Sequence, residues 1–336
     1  MFGDISFLQL LWFALIGVLF SGFFILEGFD FGVGMLHLLM GKNEKERDAI
    51  QLSIGHVWDA NQVWLLTAGG AMFASYPYWY AALFSGFYLI LFLVLVGLIL
   101  RGVSFIFRAK MPTSRGKRIW DFIFGISSFM APFFLGVLFT AMVRGMPIDE
   151  KGNMVAGFFD YIDFFSLVGG VAVTVLCLLH GLNYLALKMD GDLRMRAKDW
   201  ARKLYLVLFV GLVLFAVLLF FSTDFFFLRP ISTISSLLII VALSLWAALS
   251  VYNGKEGKAF IASSLSFVSL VLLLFVGLFP RVMVSSIAPE NSILIANASS
   301  SEYTLLVMTI VTVCLLPFVL GYQIFAYYSF SERIKC

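Results

Sequence analysis

Charge is scarce in this sequence. Asp, Glu, Lys and Arg make up 13% of its 336 residues, against 61% hydrophobic residues and a mean hydropathy of +0.98. That balance excludes a water-soluble globular domain of ordinary composition. Cysteine is nearly absent. Cys177, Cys314 and Cys336 are far apart and the first two sit inside apolar segments, which argues against a disulfide framework or a thiolate metal site and reads them as small buried hydrophobes. There are three histidines, His37, His56 and His180, and no CxxCH motif. Membrane haems take axial ligands mainly from His and Met, so this is a poor supply for a multi-haem bundle. The net charge of +3 gives no electrostatic case for nucleic acid. The first apolar run has no basic leader and no small-residue cleavage site, so the first helix is expected to stay.

What is present is a series of apolar runs. Each is about 20 residues long, enough to cross a hydrocarbon core of roughly 30 Å as helix. About nine spans are expected, near residues 8–26, 57–75, 78–100, 119–143, 163–187, 204–222, 231–252, 259–280 and 304–328. The second and third are joined by a tight turn at Tyr76-Pro77-Tyr78-Trp79, where the proline stops the preceding helix. Segments 41–55, 101–118, 188–203, 253–258 and the C-terminus hold 19 of the 23 Lys and Arg residues, leaving Arg144, Lys151, Arg229 and Arg281 on the other side. By the positive-inside rule this predicts an outside N-terminus and a cytoplasmic C-terminus. The longest outer connection, about 281–303, reads as a polar loop rich in turn residues. The whole chain, 1–336, reads as one all-α, polytopic membrane domain.

Charged residues inside membrane segments cost about 2.5–3.5 kcal/mol each unless paired or hydrated, so they point to function. One group closes the first span: Leu26-Glu27-Gly28-Phe29-Asp30-Phe31-Gly32-Val33-Gly34-Met35-Leu36. Its two carboxylates are three residues apart on one helical face, in backbone expected to be loosened by glycine. The GxG pattern has no βαβ context and is not a dinucleotide loop. The alternative for Glu27 and Asp30 is simple exposure to cytoplasmic water at a helix end.

The second group, His56-Val57-Trp58-Asp59-Ala60-Asn61-Gln62-Val63-Trp64, opens the second span. At helical spacing His56 and Asp59 share a face, with Asn61 and Trp64 on a neighbouring one, and the set could hold a chain of water. Asp59 is the best candidate to take up and pass protons; the competing reading makes it a helix cap or a partner of Arg101. Asp121 and Asp163 read as charges that the membrane interface tolerates. His180 could line a polar cavity, but a hydrogen-bonded packing role fits it better.

Together with Ala81-Ala82-Leu83-Phe84-Ser85-Gly86-Phe87-Tyr88 and Arg101-Gly102-Val103, these two motifs resemble subunit II of cytochrome bd quinol oxidases, most densely over residues 22–108. Leu278-Phe279-Pro280, Asn297-Ala298-Ser299-Ser300 and Tyr303-Thr304-Leu305 extend the resemblance to nearly the whole chain.

The resemblance implies a heterodimer with a subunit I that carries haems b and d and the quinol-oxidising loop. Each subunit would be two four-helix bundles plus a peripheral helix, here about residues 1–145, 155–280 and 303–330. It also implies a bacterial cytoplasmic membrane setting, with quinol and lipid as further partners, and leaves open a small single-helix accessory subunit and a quinone bound in this chain. Asp59, Asp30 and Glu27 are then expected in a cytoplasmic proton path, with His56, Trp58, Asn61, Trp64 and Arg101 at the subunit interface or lining the channel. A proton-coupled transporter is the alternative, although such carriers usually show repeated halves and no clear repeat is present here.

Overall fold

The computed structural model describes residues 5–335, apart from the side chain of Phe158; Cys336 lies outside the described residues. The chain forms helices α1 (Phe7–Met40), α2 (Glu44–Ile54), α3 (Trp58–Ser75), α4 (Pro77–Gly86), α5 (Tyr88–Lys110), α6 (Ser114–Arg144), α7 (Phe164–Lys188), α8 (Gly191–Ser222), α9 (Phe225–Leu228), α10 (Pro230–Tyr252), α11 (Glu256–Leu278), α12 (Ile295–Ala298) and α13 (Glu302–Ser329). Among the described residues, eight of these are long and apolar enough to cross a membrane: α1, α5, α6, α7, α8, α10, α11 and α13. The span expected near 57–75 is α3, helical over 18 residues but opened by Trp58, Asp59, Asn61 and Gln62, which make it the least apolar of the set.

Two expectations are corrected. The third span, placed at 78–100, is broken at Phe87 into α4 and α5, and its second part runs on to Lys110. The first span does not end near residue 26. α1 continues unbroken through Gly28, Gly32 and Gly34 to Met40, because these glycines serve close packing and do not loosen the backbone. A Cβ on Gly32 would stand 2.0 Å from the Cys177 carbonyl oxygen and 2.8 Å from the Gly181 Cα. Two backbones therefore meet here at a distance that only glycine on both sides permits. That contact draws α7 onto α1, where Phe29 stacks on Tyr184 at 4.2 Å between ring centroids. α1 also packs on α3, α6 and α11, so its residues are central to the molecule.

The outer connection is more ordered than a polar loop. Arg281–Met283 and Ile293–Leu294 pair as an antiparallel two-stranded ribbon, a small departure from an all-α chain. Val282, Met283 and Ile293 are buried in it, and Arg281 makes a bidentate pair with Asp224, at 2.6 and 2.8 Å. Asp163 caps α7 by accepting from the Ser166 backbone N–H at 2.8 Å and pairs with Arg144 at 2.7 Å. Burial pushes its carboxyl up, but the bonds from Ser166 and Arg144 outweigh this and hold it below its ordinary value. α13 runs along the side of the helices with most of its surface exposed, touching α1 and α3. Cys177 is buried as expected, whereas Cys314 is exposed on α13.

Candidate functional site

Glu27 and Asp30 do not face water. Both are fully buried on the side of α1 turned towards α3 and α5. Arg101 of α5, itself fully buried, donates to Glu27 and, at 3.3 Å, to Gln62, while its guanidinium lies 4.7 Å from the centre of the Phe31 ring. Asp30 accepts a 2.8 Å bond from the Asn61 amide. The Asn61 side-chain oxygen in turn accepts from the Tyr327 hydroxyl at 2.7 Å and from Gln323 at 3.4 Å, and Gln323 accepts from the Trp64 indole at 3.0 Å. A polar hub thus joins α1, α3, α5 and α13 inside the apolar interior.

The hub has atoms to spare. Glu27 Oε2, Asp30 Oδ1 and the Arg101 Nε and Nη1 have no hydrogen-bond partner among the described residues. Glu27 and Asp30, three residues apart on α1, share their buried surroundings with the Arg101 guanidinium, and two acids enclosed beside one cation are held at least cost with one proton between them. One carboxylate, one carboxylic acid and one guanidinium add to a neutral set, which is the arrangement a low-dielectric interior tolerates best.

The structure separates residues that helical spacing had grouped. His56 is not on the α3 face with Asp59, because Gly55, His56 and Val57 form a turn ahead of the helix. Its ring stacks on Phe330 at 4.3 Å. Asp59, in the first turn of α3, is exposed and bonds neither to Arg101 nor to any other described residue. Asn61, two residues on, turns inward to Asp30. Trp58 stacks on Phe105 at 4.9 Å and lies against Gly102, next to Arg101.

A second buried cluster escaped the sequence reading. Asp121 of α6 accepts from Arg108, from Arg47 at 3.1 Å and shares a 2.7 Å bond with His37, while Arg108 also reaches Asp48 at 2.6 Å. The available signal was the short link between α5 and α6: three residues turn the chain back and set Arg108 opposite Asp121. Removing one partner of such a set leaves buried charge uncompensated. Asp121→Asn should therefore lower stability by about 3 kcal/mol, read as earlier unfolding in a denaturant titration of the detergent-solubilised protein; an unchanged midpoint would rule out a structural role.

Of the three histidines, His180 is closed to axial haem ligation by its bonds, while the buried His37 Nδ1 has no partner among the described residues. Both His180 ring nitrogens are committed, to Ser263 at 2.7 Å and to the Ile25 carbonyl at 2.9 Å, the packing role expected of it. His37 gives Nε2 to Asp121 with its ring edge-on to Phe124, and His56 is stacked at the surface.

Comparison with known proteins follows the same lines. A family model described as cytochrome bd terminal oxidase subunit II matches residues 8–330. The chain is 46% identical over 325 residues to the cytochrome bd ubiquinol oxidase subunit 2 of Bacillus subtilis, spanning 97% of this chain and 96% of that protein. It is 34% identical over 364 residues to the cytochrome bd-I ubiquinol oxidase subunit 2 of Escherichia coli K12, spanning 98% and 96%. Among solved structures, a chain of the bd oxidase from Geobacillus thermodenitrificans superposes with a TM-score of 0.81 over 97% of this chain and 99% of that one. The identity there is 15%, so that likeness concerns the fold.

Proposed function

Because this chain belongs to the cytochrome bd terminal oxidase subunit II family, we propose that it works in a heterodimeric quinol oxidase of the bacterial cytoplasmic membrane, beside a haem-bearing subunit I. The haems of that partner supply the electron transfer and oxygen chemistry. Quinol gives up electrons and protons on the outer side, and four electrons with four protons reduce oxygen to two waters. No electron needs to pass through this chain, but protons must reach the site of reduction, and here a buried acid pair has a part to play.

The observation that carries the reading is the Glu27–Asp30 pair with its two unpartnered oxygens, held by Arg101 and Asn61 inside the helix assembly. Asp30 Oδ1 takes a proton arriving from the basic face. Coulomb attraction to Arg101 keeps the pair at one net negative charge, so each proton taken up favours release of another onward. Asn61 orients the Asp30 carboxyl by holding its other oxygen. Asp59 stands outside the hub on the exposed face of α3, where it can collect protons or meet the partner subunit without cost to folding. Family membership favours this reading over a proton-coupled carrier.

Asp30→Asn is isosteric and keeps the Asn61 contact, so the complex should assemble with its haem spectrum intact while quinol-dependent oxygen consumption falls by roughly 100-fold, the order of a lost acid–base group. Asp59→Asn should also assemble normally, since no described residue bonds to the Asp59 side chain, and should slow turnover to a smaller degree. Wild-type turnover in the Asp30 variant, measured by oxygen electrode, would remove the acid pair from the mechanism.

A further inference from the structure

The proton reading leaves open where water reaches Asp30, and a feature at the C-terminal end of the chain supplies a location. After α13 the chain does not leave the molecule. Residues 330–334 fold back beneath the ends of α7 and α8: the Ile334 N–H donates to the Lys188 carbonyl at 2.9 Å, the Asp190 N–H donates to the Ile334 carbonyl at 3.1 Å, and Lys188 Nζ donates to the Phe330 carbonyl. Arg333 adds a looser pair with Glu256 at 3.8 Å.

This strap leaves a cleft of about 250 Å³ between itself, the turn before α3 and the end of α7. His56, Tyr184, Lys188, Tyr327, Glu332 and Arg333 line it, a polar set with room for several waters. Its inner wall is made by two tyrosines. Tyr184 donates to the Ser53 carbonyl at 2.7 Å and stacks on Phe29, the residue before Asp30. Tyr327 donates to Asn61, which donates to Asp30. The cleft and Asp30 are therefore linked through one hydrogen-bonded residue, Asn61, which holds Asp30 Oδ2 and leaves the buried Oδ1 without a partner among the described residues.

We infer that the cleft beneath the C-terminal strap is the mouth through which protons enter the path to Asp30, with Tyr327 as the positioning residue that turns Asn61 and Asp30 towards it. The inference rests on the proton reading proposed above. In the step itself, a hydrated proton in the cleft passes along water beside Tyr327 and ends on Asp30 Oδ1; the water keeps its two hydrogens and no electron moves. The strap brings Lys188 and Glu332 to the rim without closing it.

The test uses the assembled oxidase with Cys314→Ser and Cys336→Ser as background. Glu332→Cys at the rim, and Lys45→Cys, which lines a neighbouring cavity and not the cleft, are modified with a positively charged methanethiosulfonate reagent. Modification at 332 should cut quinol-dependent oxygen consumption by roughly tenfold or more with the quinol-reduced visible spectrum unchanged, while modification at 45 leaves turnover alone. Full turnover after complete modification at 332, or failure of the reagent to reach that cysteine, overturns the inference, as does a loss of turnover that brings loss of the spectrum. If Asp30→Asn retains turnover, the proton reading itself fails; if Asp30→Asn is slow and the modified rim is not, only the cleft is wrong.

Discussion

Arg101→Met should leave little assembled complex in the membrane. Arg101 has no solvent exposure and is the cation bonded to the acid pair, through Glu27, with Gln62 and the Phe31 ring completing its surroundings. Methionine fills much of the same volume but removes the charge, and a carboxylate then remains in a low-dielectric interior. Breaking one side of a buried ion pair costs about 3–5 kcal/mol, a large part of the 5–15 kcal/mol or so by which proteins are stable. The remedy follows from the same argument: adding Glu27→Gln to Arg101→Met makes the set neutral again and should restore extraction yield and thermal midpoint, though not turnover. An Arg101→Met complex as stable as the parent would mean that Glu27 carries no charge.

Gly32→Ala should be nearly as damaging, with the opposite sign to the usual helix rule. Alanine in place of an ordinary helical glycine stabilises by about 1 kcal/mol. At Gly32, however, the new methyl would sit 2.0 Å from the Cys177 carbonyl oxygen, and 2.8 Å from the Gly181 Cα. Both obstacles are backbone and neither can rotate away. α1 and α7 must then separate by more than an ångström, which breaks the Phe29–Tyr184 stack and stretches the His180 bond to Ile25, costs beyond the 1–3 kcal/mol or so of simple overpacking. Gly321→Ala is the control, because nothing lies within 4 Å of its would-be Cβ on α13. Expression and thermal unfolding of the two variants side by side give the comparison; equal stability would show that α1 and α7 do not meet this closely.

The parts of the site differ in how readable they were. Glu27, Asp30, Asn61 and Arg101 stand out in sequence because charge and amide groups are rare inside apolar runs. Their burial was not readable, since α1 is apolar all round and no polar stripe marks which face turns to lipid and which to other helices. Asp59 was the more prominent acid by motif, yet it is exposed, because a three-residue turn before α3 rotates the helix so that Asn61 points inward. Gln323 and Tyr327 gave no signal at all: one amide and one phenol near the end of a membrane helix are ordinary until α13 lies beside α3, some 260 residues away in the chain. Asp121 was passed over because an acid near a basic loop is usually solvated.

Composition, hydropathy and the spacing of a few polar residues were enough to determine a helical membrane protein and the family it resembles, because the bilayer demands apolar helices whatever their neighbours. Which polar atoms meet, which remain unpartnered and where water comes closest were decided only by tertiary packing. Those outcomes depend on the rotation of each helix about its own axis, and that is set by contacts such as Gly32 on Gly181 between segments far apart in sequence.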